Sequence, residues 1–158
     1  MTRQGVAVNA PLAETAALLH DLDKALPRGH KLRKLGHGAG GAEWLRSNDN
    51  EELAIAVANH PVGILAAAAT YEEFAQRVGL EGCIVALADK RALQDTVSLD
   101  ARFDRWYRRY PGSEMLQQGH ARARDLERDI CARAGIAPNE VQRLAWVDEA
   151  FEQAKRAA

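Results

Sequence analysis

The sequence predicts an all-α fold. Alanine, leucine, glutamate and arginine dominate it, apolar residues recur at helical spacing, and runs of β-branched and aromatic residues alternating at period two are scarce. At 158 residues the chain is long enough to bury one sizeable core without disulfides, and it reads as one helical domain over residues 1–158.

The elements follow in order. Asn9 precedes Pro11, which suits the first turn of a helix, and Leu12, Ala16, Leu19 and Leu22 or Leu26 continue one apolar stripe to a stop near Pro27. A basic segment, Arg28 to Lys34, leads to a stretch from Gly36 to Gly41 with four glycines. Ala39, Ala42, Trp44 and Leu45 keep helical spacing there, so the small residues are expected to let a helix start approach another backbone closely. Ser47 to Asn50 is a turn, and Glu51 and Glu52 open the next helix, where the dipole favours acids. That helix runs to about Asn59. Thr70 and Glu73 have capping-box spacing for a helix to about Val78, ended by Gly79. From Glu81 to Leu93 the apolar residues are nearly continuous, as in a central helix buried on several sides. Ser98 caps a helix to Tyr110, Pro111 and Gly112 stop it, and two further helices are expected over about Ser113–Gly135 and Asn139–Ala157.

Composition excludes several functions. With 21 basic and 22 acidic residues the net charge is −1, so a nonspecific nucleic-acid binder is not expected. No apolar run approaches the roughly 20 residues of a membrane span, and Met1 to Ala10 lacks the pattern of a signal peptide, so a cytoplasmic protein is expected. Cys83 and Cys131 lie far apart in alanine-rich contexts, as buried reduced thiols do. There is neither a Walker P-loop nor a GxGxxG fingerprint, which argues against kinase or dehydrogenase chemistry. Trp106 to Tyr110, WYRRY, interleaves aromatics with arginine as base-stacking surfaces do, but in a chain without net positive charge packing of Trp106 with Tyr110 is expected, and Trp44 and Trp146 read as structural too.

The most informative run is Ala17 to Lys24, ALLHDLDK. An apolar helix that ends by presenting His20 and Asp21 places two metal ligands at the edge of the core, where leaving them unpaired is costly. Three further stretches bear on it: GHGAGGAEWL with His37, LAIAVANHPVG with His60, and IVALADK with Asp89. In order and spacing these four stretches resemble the HD superfamily of metal-dependent phosphohydrolases. With VSLDARF, Val97 to Phe103, the likeness extends from about Leu12 to Phe103. It is nearest to the subgroups related to bacterial dinucleoside-polyphosphate hydrolases and to HD modules beside nucleotidyltransferase-like domains.

The resemblance implies a compact helical bundle that hydrolyses a small phosphate ester or anhydride, a nucleotide above all, through a metal-activated water. It implies metal ligation by His20, Asp21, His37, His60 and Asp89: His20, Asp21 and Asp89 on one ion, His37 and His60 with a bridging Asp21 on a second. Imidazole and carboxylate together suit Fe, Mn, Co, Ni or Zn, as one ion or two. Asp21 and Lys24 are the catalytic candidates, and Lys24, Lys90 and Arg102 the candidates for phosphate contact, although a solvated face is the ordinary state of Lys90 and Arg91. Asp23 is either an orienting partner or merely solvated. His30 and His120 stand outside the pattern and read as exposed.

One feature departs from the family. HD domains supply a further histidine upstream of the His-Asp pair, and here no histidine precedes His20. Three readings follow: an N-terminal helix is missing, water fills the vacancy, or the site has decayed into a noncatalytic regulatory or ligand-binding module. An apolar face left by a missing helix would favour a homodimer.

Overall fold

The computed structural model describes residues 4–93 and 95–157. The described residues are helical, without a strand; an isolated antiparallel bridge joins Ala92 to Thr96. The all-α expectation is therefore met, and among the described residues no helix is long and apolar enough to cross a membrane.

Helix α1, Ala10–Leu19, starts where Asn9 accepts a hydrogen bond from the Leu12 amide. The expected single helix to Pro27 is broken at His20 and Asp21, and a short second helix, α2, spans Leu22–Ala25. The cause is local. A continuing helix would give the Ala17 carbonyl to the Asp21 N–H, but here the His20 ring takes it, with Nδ1 at 2.7 Å.

A 3-10 segment, Lys31–Leu35, leads into α3, Ala39–Arg46. The close packing expected of the glycines is observed. Gly38 has a φ of 79°, which a side chain would strain, and a Cβ on Gly40 would meet the Leu32 carbonyl oxygen at 2.4 Å. Helix α4, Glu51–Asn59, packs on α3 through Ala42, Leu45, Ala54 and Val57. Pro61 then turns the chain into α5, Val62–Ala67.

Helix α6, Tyr71–Arg91, is capped by Thr70, whose hydroxyl accepts from the Glu73 amide. Gly79 interrupts its path (φ 70°, ψ 176°), where the sequence placed a stop. Its second half is the central element. Through Ala16, Ala56 and Val85 it meets α1 and α4, and on its other side Cys83, Ala86 and Leu87 join the main core with Leu65, Phe103 and Leu126. That core is closed by α7, Leu99–Arg109, and α8, Glu114–Ala134, capped by Ser98 and Ser113. Gly135 ends α8 in the left-handed conformation. The last expected helix is divided: Pro138–Arg143 is 3-10, Leu144 leaves helical geometry, and α9 spans Ala145–Ala157. Cys83 and Cys131 are buried free thiols.

Three aromatic expectations change. Tyr110 is exposed instead of packing under Trp106, which lies edge-on to Phe103 and under the Arg102 guanidinium. His120 is not a surface histidine: its ring stacks on Phe103 at 4.1 Å, with one nitrogen 3.0 Å from the Tyr107 hydroxyl and the other 3.0 Å from Asp100. Trp44 and Trp146 are more exposed than a structural reading implies.

Candidate metal centre

Breaks and turns between the helices bring the polar residues together. His20 and Asp21 sit at the break between α1 and α2, His37 in the turn before α3, His60 at the α4–α5 corner, and Asp89 near the end of α6. Asp21, His37 and His60 each offer a ligand atom within 4.8 Å of the others. His20 Nε2 lies 3.5 Å from Asp21 Oδ2 and 3.7 Å from Asp89 Oδ1. All five residues that the sequence singled out thus share one neighbourhood.

The backbone decides which nitrogen each ring presents. His60 stands at a helix end whose Val57 carbonyl would bond the N–H of residue 61, but residue 61 is proline and has none. His60 Nδ1 supplies the missing donor at 2.6 Å. Its Nε2 then points away from the helix, toward His37 Nε2 at 3.0 Å. His37 Nδ1 lies 3.3 Å from both oxygens of Asp23, and His20 Nδ1 bonds the Ala17 carbonyl. Carbonyls and carboxylates only accept, so in each ring Nδ1 carries the proton and Nε2 is left for a metal or a second proton. Asp23 is therefore an orienting partner: it is buried, and it also accepts from the Gly38 amide at 3.4 Å. The sequence left that role open because an aspartate two residues after a ligand is equally at home in solvent.

The site also holds unmet electrostatic demand. Two neutral imidazoles with bare Nε2 atoms 3.0 Å apart repel each other unless a cation lies in contact with both, whether a proton or a metal. Burial lowers the His60 pKa to about 4, against the opposing pull of the Val57 hydrogen bond and the Asp89 charge, so this ring is neutral at pH 7. Beside it Asp21 Oδ1 is buried and accepts no well-directed hydrogen bond, although the Lys24 ammonium is 2.8 Å away. The Asp21 pKa is lowered: burial acts to raise it, but the Lys24 hydrogen bond and the His20, Lys24 and His37 charges outweigh that. An orphaned carboxylate oxygen beside converging imidazole nitrogens is a donor set that fits a divalent transition metal.

The flanking cations divide. Lys24 is exposed and pairs with Asp21. Arg102 has a buried Nε without a hydrogen-bond partner, and its guanidinium stands 4.7 Å over the Trp106 ring. Both line a cleft of about 860 Å³ that also reaches His37 and Asp89, and a second one of about 400 Å³ that reaches His20 and Asp21.

Lys90 is a correction. Its side chain is completely buried, with Nζ donating to the His60 carbonyl at 2.6 Å and the Ala86 carbonyl at 3.0 Å, so it does not face a substrate. It holds the corner that carries His60. Arg91 is buried as well, paired with Glu127 and bonded to the Pro138 carbonyl. Neither occupies the solvated face that charge beside Asp89 leads one to expect.

Comparison with known proteins agrees with this geometry. The family model for the HD domain matches residues 3–93, which contain every one of these histidines and aspartates. No curated protein and no solved structure matches the chain.

Proposed function

Because the chain belongs to the HD-domain family, whose members are generally metal-dependent phosphohydrolases, we propose that it hydrolyses a small organic phosphate, with nucleotides as the leading substrate class. The observation that carries this reading is the pair of Nε2 atoms 3.0 Å apart beside the orphaned Asp21 Oδ1.

In this proposal Asp21, His37 and His60 would hold one divalent ion, and His20, Asp21 and Asp89 would hold a second. The metal, of the Fe, Mn, Co, Ni or Zn class, would supply Lewis acidity at the phosphate and a water acidified toward neutral pH. The chain supplies the rest. Asp21, ionised at neutral pH, anchors the cations and also holds Lys24 at the mouth of the cleft. Lys24 and Arg102 flank the same space and neutralise the phosphate oxygens as they arrive; Arg102 is the better placed, because among the described residues it forms no ion pair that substrate would have to displace. Asp23 fixes the His37 ring, and the carbonyls of Ala17 and Val57 fix those of His20 and His60.

The test is turnover of mono-, di- and cyclic nucleotides by the full chain, stripped of metal and reloaded with Mn, Fe, Co, Ni or Zn in turn. Metal-dependent release of phosphate or nucleoside, absent from Asp21→Ala, is the expected result. No turnover above that variant would leave the noncatalytic reading, a module that keeps the pocket for binding alone.

A further inference from the structure

The lining of the larger cleft is of two chemical kinds. Lys24, His37, Asp89 and Arg102 are polar; Pro61 and Val62 from the α4–α5 corner and Trp106, Tyr110, Met115 and Leu116 from α7, α8 and the turn between them form a largely apolar wall. Apart from Pro61 and Val62, this apolar wall lies beyond residue 93, where the family match ends. Tyr110 and Met115 are 51 % and 44 % exposed, and both line the cleft that opens onto the candidate metal ligands. Contiguous exposed apolar surface leading into a polar site is what a partly apolar ligand covers.

The Ser113 hydroxyl caps α8 by accepting from the Leu116 amide, and the Arg109 guanidinium lies 5.4 Å over the Tyr110 ring. The Arg102 guanidinium is stacked on Trp106 with its Nε unbonded. A ligand with its phosphate beside Arg102 and Lys24 would therefore lay its organic part against carbon and aromatic surface, with few fixed donors or acceptors to read a ring edge. Such surfaces accept any flat ring, since every base has a π-face, whereas sites that discriminate strongly do so through buried hydrogen-bonding groups.

We propose that the wall of the cleft formed by Trp106, Tyr110, Met115 and Leu116 is a subsite for the organic part of the substrate, selecting flat apolar groups while tolerating different ring hydrogen-bonding patterns. The inference rests on the phosphohydrolase reading and names the substrate class of that site: phosphate esters of aromatic or heteroaromatic character, in preference to inorganic pyrophosphate or phosphates of small polyols.

Two readouts test it. The first is kcat/KM of the Mn-loaded chain for 1-naphthyl phosphate, a purine and a pyrimidine nucleoside monophosphate, glycerol phosphate and pyrophosphate. Naphthyl phosphate should exceed glycerol phosphate by at least ~10-fold, and the two nucleotides should agree within ~10-fold, as stacking without edge reading allows. Met115→Glu, at an exposed position in the first turn of α8 where an acid is well tolerated, should reduce the naphthyl-to-glycerol ratio by about 10-fold through KM. The second readout is binding of 1-naphthyl phosphate to the Asp21→Asn chain, followed by Trp106 fluorescence in a Trp44→Phe, Trp146→Phe background and weakened by Met115→Glu. Binding with that sensitivity but no turnover of any compound by the Mn-loaded chain would sustain the subsite and sink the hydrolase reading. Turnover that is insensitive to Met115→Glu and no better for naphthyl than for glycerol phosphate would overturn the subsite and leave the hydrolase. A preference above ~100-fold for one base would also overturn it, since apolar contact alone does not discriminate so far. Neither binding nor turnover would overturn both.

Discussion

Replacing Lys90 by methionine separates a residue that stabilises the fold from one that positions a ligand. The ammonium is wholly enclosed, and burial lowers its pKa from 10.5 to about 8, against the opposing Asp89 carboxylate. That displacement corresponds to about 3 kcal/mol carried by the charged form at pH 7. Methionine removes this cost but leaves the His60 carbonyl without its Lys90 donor, a loss of about 1 to 3 kcal/mol. The metal-free variant should therefore match the parent or exceed it by up to about 2 kcal/mol at pH 7 in urea denaturation, as when a buried ion is replaced by an apolar group. Between pH 8 and 10.5 the folded parent has released a proton that its unfolded chain still binds, so parental stability rises across that window by up to about 3 kcal/mol. Lys90→Met should lack the rise. Its metal affinity should nevertheless fall about 10-fold, the lower end for an outer partner, because Lys90 grips the backbone of His60 and not its ring. Unchanged metal affinity together with a loss of more than about 3 kcal/mol at pH 7 would refute the positioning role.

Three further outcomes are expected. Gly40→Ala drives a Cβ to 2.4 Å from the Leu32 carbonyl oxygen and should destabilise the chain by about 1 to 3 kcal/mol in thermal or denaturant unfolding. The metal-free chain should lose stability as pH falls from 6.5 toward 4, because unfolded His60 binds a proton that the buried ring refuses; a denaturation series at these pH values, compared with His60→Gln, measures the share that belongs to this residue. Glu127→Ala strips the buried Arg91 of its partly buried carboxylate partner and should cost up to about 3 kcal/mol in the same denaturation assay.

The ligand neighbourhood was legible in the sequence through the family resemblance, carried by His20 after an apolar stripe, His37 among glycines and His60 before a proline. Those positions carry their reason in the residue types, since glycine permits the close approach at α3 and Pro61 withholds the N–H that His60 replaces. The break after Leu19 was not legible. The apolar stripe continues through Leu22 and Leu26, and only the His20 ring taking the Ala17 carbonyl stops the helix. Burial of Lys90 and Arg91 was hidden for a different reason: their partners, the His60 carbonyl and Glu127, lie 30 and 36 residues away and leave no local periodicity. The stacking of His120 on Phe103 and the apolar wall of the cleft likewise depend on how α7 meets α8, which spacing within either helix does not determine.

If these side chains grip a transition metal, equilibrium dialysis against Mn or Zn followed by elemental analysis will find at least one ion retained per chain. That ion should be lost in Asp21→Ala and in His37→Ala, both at positions exposed enough to leave the core intact, and kept in His30→Gln, which lies outside the cluster. Retention that is absent from the parent chain, or indifferent to Asp21 and His37, would contradict a metal site here.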